Sequence, residues 1–109
     1  MSRASDAFAA LGQPVRLSVL RSLIQAGTEG LTAGEIAALH NIRANTLSPH
    51  LATLAQSGLI AATREGRSIR YRAEMEGVRA LIGFLLHDCC GGRPELCGPI
   101  LDEITACPC

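Results

Sequence analysis

Several features are absent from this sequence, and each absence excludes a class of protein. No apolar run approaches the roughly 20 residues that a membrane-spanning helix needs, so we expect no membrane partner. The first residues lack the hydrophobic stretch of a signal peptide, which favours a cytoplasmic location. The chain has no Cys-x-x-Cys pair beside a βαβ pattern, no Gly-rich phosphate loop and no convincing Cys/His/Asp arrangement. We therefore expect that it is not an enzyme.

Lysine is also absent, and every basic residue is arginine. The net charge is zero over 109 residues, but the charge is unevenly distributed. Residues 1–72 hold eight Arg against four acidic residues, whereas residues 73–109 hold two Arg against six. Arginine makes bidentate contacts to phosphate and guanine, although a GC-rich genome would also enrich it. The basic first part of the chain is compatible with a nucleic-acid partner.

Cysteine is missing from the first 88 residues, and all five cysteines follow. A core that used cysteine as a small hydrophobic residue would scatter it along the chain. Soft thiolates bind thiophilic ions, and the flexible Gly91-Gly92 pair would let the chain fold back on itself. An odd number of cysteines favours ligation or redox sensing over a disulfide framework. The cysteines are Cys89, Cys90, Cys97, Cys107 and Cys109.

The first three of these, Cys89, Cys90 and Cys97, form our candidate metal site. Three sulfurs suit trivalent arsenic or antimony, whereas structural zinc requires four ligands, the fourth of which Cys107 or Cys109 could supply. Adjacent helical residues diverge by about 100°, so both members of the pair can bind one ion only where a helix ends. Cys107 and Cys109 are possible accessory ligands, a relay for the ion, or an incidental chain end. Incidental thiols remain the alternative for the whole set.

Apolar periodicity predicts helices in the first half of the chain. One pattern covers residues 6–26 and is interrupted at Gly12–Pro14, with Pro14 suited to the first turn of a restarted helix. Thr32 and Glu35 have the spacing of a capping box, which predicts a helix over about 33–39. A further helix is predicted over about 45–56, with Leu47, Leu51 and Leu54 buried. Two short helices joined by a brief turn are typical of a helix-turn-helix.

The second of these two helices carries our candidate DNA contacts. We place the helix start at Asn45 to within one residue, because with Asn45 as the N-cap Pro49 would lose only the first intrahelical bond, which is tolerated. Amide, hydroxyl and imidazole groups can contact bases or phosphates, although an ordinary solvated face would look the same. The predicted contacts are Arg43, Asn45, Thr46, Ser48 and His50.

A change to two-residue alternation predicts a β-hairpin over residues 59–72, with its turn at Glu65-Gly66. Ile69 and Tyr71 would face the core while Arg70 and Arg72 face outward. A basic hairpin after a helix-turn-helix is a wing, and phosphate or minor-groove contacts would give it salt-sensitive affinity. The candidate wing contacts are Arg64, Arg67 and Arg70.

The last predicted helix, residues 78–87, is apolar around so much of its circumference that we expect a second subunit to cover part of it. The fold class is therefore mainly α with a β-hairpin wing, a winged helix-turn-helix. We divide the chain into a DNA-binding and dimerisation domain, 1–92, and a cysteine-containing tail, 93–109.

Four segments in order resemble the ArsR/SmtB family of winged-helix metal-sensing repressors. They are Leu11–Leu20, Thr46–Leu54, Ser57–Ile60 and Arg64–Arg67, followed by Tyr71. The resemblance implies a homodimer that pairs through its first and last helices. It also implies two recognition helices in successive major grooves of operator DNA, and release of the DNA when a ligand binds.

The chain departs from the first-described arsenic sensors of that family, which carry Cys-x-Cys in the first helix of the helix-turn-helix. Here that segment, Glu35–His40, has no cysteine, and His87-Asp88 is the only fragment of a zinc-sensor site. The Cys89-Cys90 pair with downstream Cys97 resembles the variant that binds trivalent arsenic. We expect As(III) or Sb(III) to be the inducer. The alternative is a thiol-redox or cadmium-responsive repressor of the same fold.

Overall fold

Five α-helices and a three-stranded antiparallel sheet make up the part of the chain that the computed structural model describes, residues 2–86 and 99. The helices are α1 (Ser2–Leu11), α2 (Pro14–Ala26), α3 (Ala33–His40), α4 (Ala44–Gln56) and α5 (Met75–Leu86). The strands are β1 (Leu31–Thr32), β2 (Ile60–Glu65) and β3 (Ser68–Ala73), and a 3-10 turn covers Gly27–Glu29. None of the helices in this described part has the length and apolar character that crossing a bilayer requires.

The starts of α2 and α3 follow the local signals in the sequence. Pro14 is the first residue of α2, and the side chain of Gln13 caps it by accepting a 3.0 Å hydrogen bond from the Arg16 backbone N–H. The Thr32 hydroxyl accepts from the Glu35 backbone N–H at 3.2 Å, and the Glu35 carboxylate accepts from the Thr32 N–H at 2.8 Å. Both predicted helix starts are therefore confirmed.

Helix α4 begins within one residue of its predicted start, but its predicted N-cap is wrong. Its N-cap is Arg43, not Asn45, because the Arg43 carbonyl accepts the first backbone hydrogen bonds, from Thr46 at 3.0 Å and Leu47 at 2.9 Å. Pro49 consequently lies two residues deeper in the helix than a cap at Asn45 would place it. It has no N–H to donate to the Asn45 carbonyl, so one rung of the helical ladder is missing.

The hairpin forms the predicted wing, but its turn lies one residue further along. Glu65 pairs with Ser68, which leaves Gly66 and Arg67 as a two-residue loop. Gly66 has a φ of 63° and Arg67 has no positive φ, the combination of a type II′ turn. The two-residue strand β1 pairs with β3 on its other side, an element that the sequence pattern did not predict.

The core is centred where α2, α3 and α4 meet the start of β2. Its fully buried side chains are Val19, Leu23, Ile36, Leu47, Leu54 and Leu59. The predicted leucine stripe of α4 is confirmed, since Leu51 is also buried.

Helix α5 begins at Met75, three residues before its predicted start, while the predicted end at His87 lies outside the described residues. Leu81 is buried and packs against the core. Much of the remaining apolar surface of this helix is not covered by other residues in the part of the chain that the structure describes. Its exposed large side chains are Met75, Ile82, Phe84 and Leu85.

Candidate nucleic-acid interface

Helix α4 presents a polar, solvent-exposed face opposite its buried leucines. Because successive residues turn by about 100°, burial of Leu47, Leu51 and Leu54 directs the intervening positions away from the core. The predicted DNA contacts Arg43, Asn45, Thr46 and Ser48 are all exposed. The structure thus brings four of the five predicted contacts of this helix together on one accessible surface.

His50, the fifth predicted contact, is only half-buried and lies at the edge of this surface. Its Nδ1 accepts a 3.2 Å hydrogen bond from the Nε of Arg16, on α2. The ring is therefore held by a residue 34 positions earlier, a contact that no local pattern in the sequence could reveal.

The N-terminus of α4 adds backbone donors that the sequence analysis missed. No side chain caps this helix, whereas Gln13 and Thr32 cap α2 and α3. Within the described residues, the N–H groups of Ala44 and Asn45 have no acceptor. Free N–H groups and the helix dipole favour an anion at such an end, and the exposed Arg43 adds positive charge beside it. This end of α4 therefore suits a phosphate.

The wing carries two exposed arginines, Arg64 near the end of β2 and Arg67 in the hairpin loop. Neither forms a side-chain hydrogen bond or an ion pair with any residue in the described part of the chain. Both guanidinium groups are free to meet a phosphate backbone.

Arg70 and Arg72 instead attach the wing to the 3-10 turn. The Nε of Arg70 donates to both carboxylate oxygens of Glu65 at 3.0 Å, and its Nη1 donates to the Glu29 carbonyl at 3.0 Å. The hydrogen bond to Glu65 raises the pKa of Arg70 above its usual value. Arg72 donates from Nε to the Thr28 carbonyl at 2.9 Å. Arg70 stays a predicted DNA contact, although its Nε and Nη1 already donate hydrogen bonds within the chain.

The five predicted thiolate ligands lie outside the described residues. Residues 2–86 contain no cysteine. Within the described part of the chain, no group of three or more His, Cys, Asp or Glu side chains is placed to hold a metal ion.

Comparisons with known proteins agree with this arrangement. The family described as "Helix-turn-helix domain" matches residues 11–62. The HTH-type transcriptional regulator YgaV of Escherichia coli is 35% identical over 81 residues, covering 74% of this chain and 80% of that protein. An ArsR-like transcriptional regulator from Rhodococcus sp. RHA1 has a similar structure, with a TM-score of 0.67 and 26% identity over 96% of this chain and 88% of the other.

The chain belongs to the ArsR family of transcriptional regulators. A further structural relative of this ArsR-family chain is the homodimeric winged helix-turn-helix DNA-binding domain Mb0332 from Mycobacterium bovis. It has a TM-score of 0.65 and 27% identity, covering 80% of this chain and 81% of that domain. The fold class predicted from the sequence, a winged helix-turn-helix, is confirmed.

Proposed function

We propose that this ArsR-family chain is a transcriptional repressor that binds double-stranded operator DNA as a homodimer. It leaves the operator when trivalent arsenic or antimony binds the thiolates of Cys89, Cys90 and Cys97. Cys107 and Cys109 are accessory ligands in this proposal.

The exposed polar face of α4, with the free arginines of the wing, is the observation that carries the DNA-binding part. A helix inserted in the major groove reads bases through exposed side chains near its N-terminus, which here are Asn45, Thr46 and Ser48. Phosphate contacts from Arg43, Arg64 and Arg67 would fix its register on the duplex. Helix, wing and charge all favour the same partner.

A homodimer is supported by the apolar face of α5, which the other described residues leave exposed. Met75, Val78, Ile82 and Leu85 follow one another at steps of three, four and three residues, the spacing of a coiled-coil seam. Three of them, Met75, Ile82 and Leu85, are 52%, 42% and 56% exposed. A second copy would bury this seam, and two-fold symmetry would place two copies of α4 at half-sites about one helical turn of DNA apart.

The inducer is assigned from the chemistry of the cysteines. Three soft thiolates match the preference of trivalent arsenic and antimony. In the sequence, two residues separate the Cys89-Cys90 pair from the end of α5, the proposed dimer helix. An allosteric coupling is typically 1–3 kcal/mol, whereas a nearly complete switch requires about 5.5 kcal/mol. A three-thiolate site in each of two subunits could supply that larger difference.

The deciding experiment titrates reduced full-length protein, bound to a fluorescent DNA fragment from upstream of its own gene, with arsenite and antimonite. We expect the anisotropy to fall at about one metalloid per subunit and the double variant Cys89→Ser/Cys90→Ser to stay bound. Release of the double variant would overturn the assigned site. Release by peroxide in the absence of metalloid, reversed by dithiothreitol, would favour the thiol-redox alternative. Release by cadmium but not by arsenite or antimonite would favour the cadmium-responsive alternative.

A further inference from the structure

Arg16 occupies an unfavourable position for a cation. It is the third residue of α2, at the positive end of the helix dipole. Its side chain is half-buried and forms no ion pair with any carboxylate among the described residues. The helix dipole therefore does not explain an arginine at this position. The hydrogen bonds of its side chain do.

One contact completes the end of α1. The Ala10 carbonyl would normally accept from the N–H four residues later, but that residue is Pro14, which has none. The Nη1 of Arg16 donates to this carbonyl at 3.3 Å. The backbone of Arg16 is held as well, through the bond from its N–H to the side chain of Gln13. These two hydrogen bonds hold Arg16 in position independently of its contact with α4.

The other contact determines the state of the His50 ring. Arg16 can only donate, so the Nδ1 that accepts its Nε–H carries no proton. In the neutral ring the proton then lies on Nε2, and the imidazole offers one hydrogen-bond donor to whatever lies beyond α4. His50 follows Thr46 by one helical turn, so the ring borders the proposed reading face.

We propose that Arg16 is a positioning residue for DNA recognition, which holds His50 as the Nε2–H tautomer so that the ring donates to an acceptor on the operator. Suitable acceptors are a phosphate oxygen, guanine O6 or N7, or thymine O4. This inference rests on the proposed function of α4 as the DNA-reading helix. Arg16 itself touches no DNA in this proposal.

The first test is made without DNA. The ¹⁵N resonances of the His50 ring are compared in the wild type, Arg16→Gln and the control Arg21→Gln, whose site is exposed on the same helix. We expect Nδ1 to be the unprotonated nitrogen in the wild type, to shift in Arg16→Gln and to stay unchanged in Arg21→Gln. A wild-type ring protonated on Nδ1, or a signal indifferent to Arg16→Gln, overturns the inference.

The second test measures affinity for DNA from upstream of the gene over a range of salt concentrations. Arg16→Gln should weaken binding roughly three- to tenfold, the effect of one hydrogen bond, and leave the salt slope unchanged, because a neutral imidazole neutralises no phosphate charge. In a His50→Gln background, whose amide donor has no tautomer to set, Arg16→Gln should change affinity less than twofold. Thermal melting of each variant confirms that folded proteins are compared.

Three results distinguish failure of this inference from failure of the proposed function. An Arg16→Gln effect that is equally large in the His50→Gln background, with the salt slope reduced by about one, would make Arg16 a phosphate contact and overturn its positioning role. If the wild type shows no salt-sensitive DNA binding, the proposed function fails and the inference fails with it. Normal DNA binding by Arg16→Gln overturns the inference alone.

Discussion

At the scale of single residues, the arginines of this chain differ in role according to the acceptors within their reach. Arg67 stands free at the tip of the wing, whereas Arg70 is bonded to Glu65 and to the Glu29 carbonyl. The sequence pattern predicted both arginines as wing contacts, but it could not show which acceptors each side chain would reach. Their difference arises because the 3-10 turn, about 40 residues earlier in the chain, brings its carbonyls to one of them and not the other.

This difference predicts that two matched substitutions affect different properties, DNA binding in one case and thermal stability in the other. Arg67→Gln should weaken DNA binding and reduce the slope of log affinity against log salt by about one, with thermal stability unchanged, because a phosphate contact is lost. Arg70→Gln should instead lower thermal stability, because it removes the bonds that attach the wing to the 3-10 turn. Anisotropy at several salt concentrations and thermal melting measure the two effects. Identical salt slopes for Arg67→Gln and the wild type would remove Arg67 from the interface.

Glu35 gives a residue-scale prediction that depends on pH. Its hydrogen bond from the backbone N–H of Thr32 lowers the pKa of the carboxyl below its usual value of 4.5. The folded state therefore favours the ionised form, and the stabilisation is complete above pH 4.5 and is lost as the pH falls through the lower, folded-state pKa.

We expect Glu35→Gln to be less stable than the wild type at pH 7 and the difference to shrink as the pH falls below about 4.5. Urea denaturation at pH 7 and pH 3.5 measures it. Glu76→Gln is the control, because Glu76 pairs only with the exposed Arg79 and should matter little at either pH. A Glu35→Gln deficit that does not change with pH would show that the carboxylate charge plays no part in the cap.

At the scale of secondary-structure elements, local signals predicted well where the deciding contacts are local. Pro14 and the Thr32/Glu35 capping box fixed the starts of α2 and α3 because their partners lie within three residues. The N-cap of α4 was mispredicted because Asn45 is a favourable cap residue, yet this helix begins without any side-chain cap. Strand β1 was missed because two residues become a strand only by pairing with β3, about 40 positions later.

The early start of α5 has a comparable cause. Its first turn, over residues 75–77, contains a single large apolar side chain, that of Met75, which is too little to mark a helix by periodicity. Gly77, in this turn, closely approaches the backbone of Gly58, the second residue after α4. A glycine that permits this approach leaves no periodic signal in the sequence, so the prediction began only at Val78.

This close approach makes the two glycines of α5 a matched pair. A Cβ on Gly77 would overlap the Gly58 carbonyl, which is backbone and cannot move aside cheaply, whereas a Cβ on Gly83 would meet nothing within 4 Å. Gly77→Ala should lower the free energy of unfolding by about 1–3 kcal/mol, the usual cost of overpacking. Gly83→Ala should raise it by about 0.5–1 kcal/mol through helix propensity. Chemical denaturation of both variants measures this, and equal stabilities would contradict the packing of α5 on Gly58.

At the scale of the whole molecule, the surface has two parts with different chemistry. The helix-turn-helix and wing carry exposed arginines and polar side chains, which favour DNA. Helix α5 carries an apolar seam that the other described residues leave uncovered, together with acidic residues Glu74 and Glu76 at its start. A basic surface for the nucleic acid and an apolar surface for a second copy of the chain are what a dimeric DNA-binding protein requires. The sequence predicted this segregation, since charge and hydropathy along the chain are preserved in the fold.

A single charge in the seam should therefore affect the whole assembly. Ile82→Glu should convert the protein to a monomer at micromolar concentration, because a dimer would have to bury an unpaired carboxylate. Operator affinity should fall at least tenfold, since one recognition helix cannot hold two half-sites. The control is Leu39→Glu on α3, which replaces a still more exposed apolar side chain (62% against 42% for Ile82) away from the seam and should leave the dimer intact. Analytical ultracentrifugation reads the mass of each variant, and a dimeric Ile82→Glu protein with normal operator affinity would assign dimerisation to another surface.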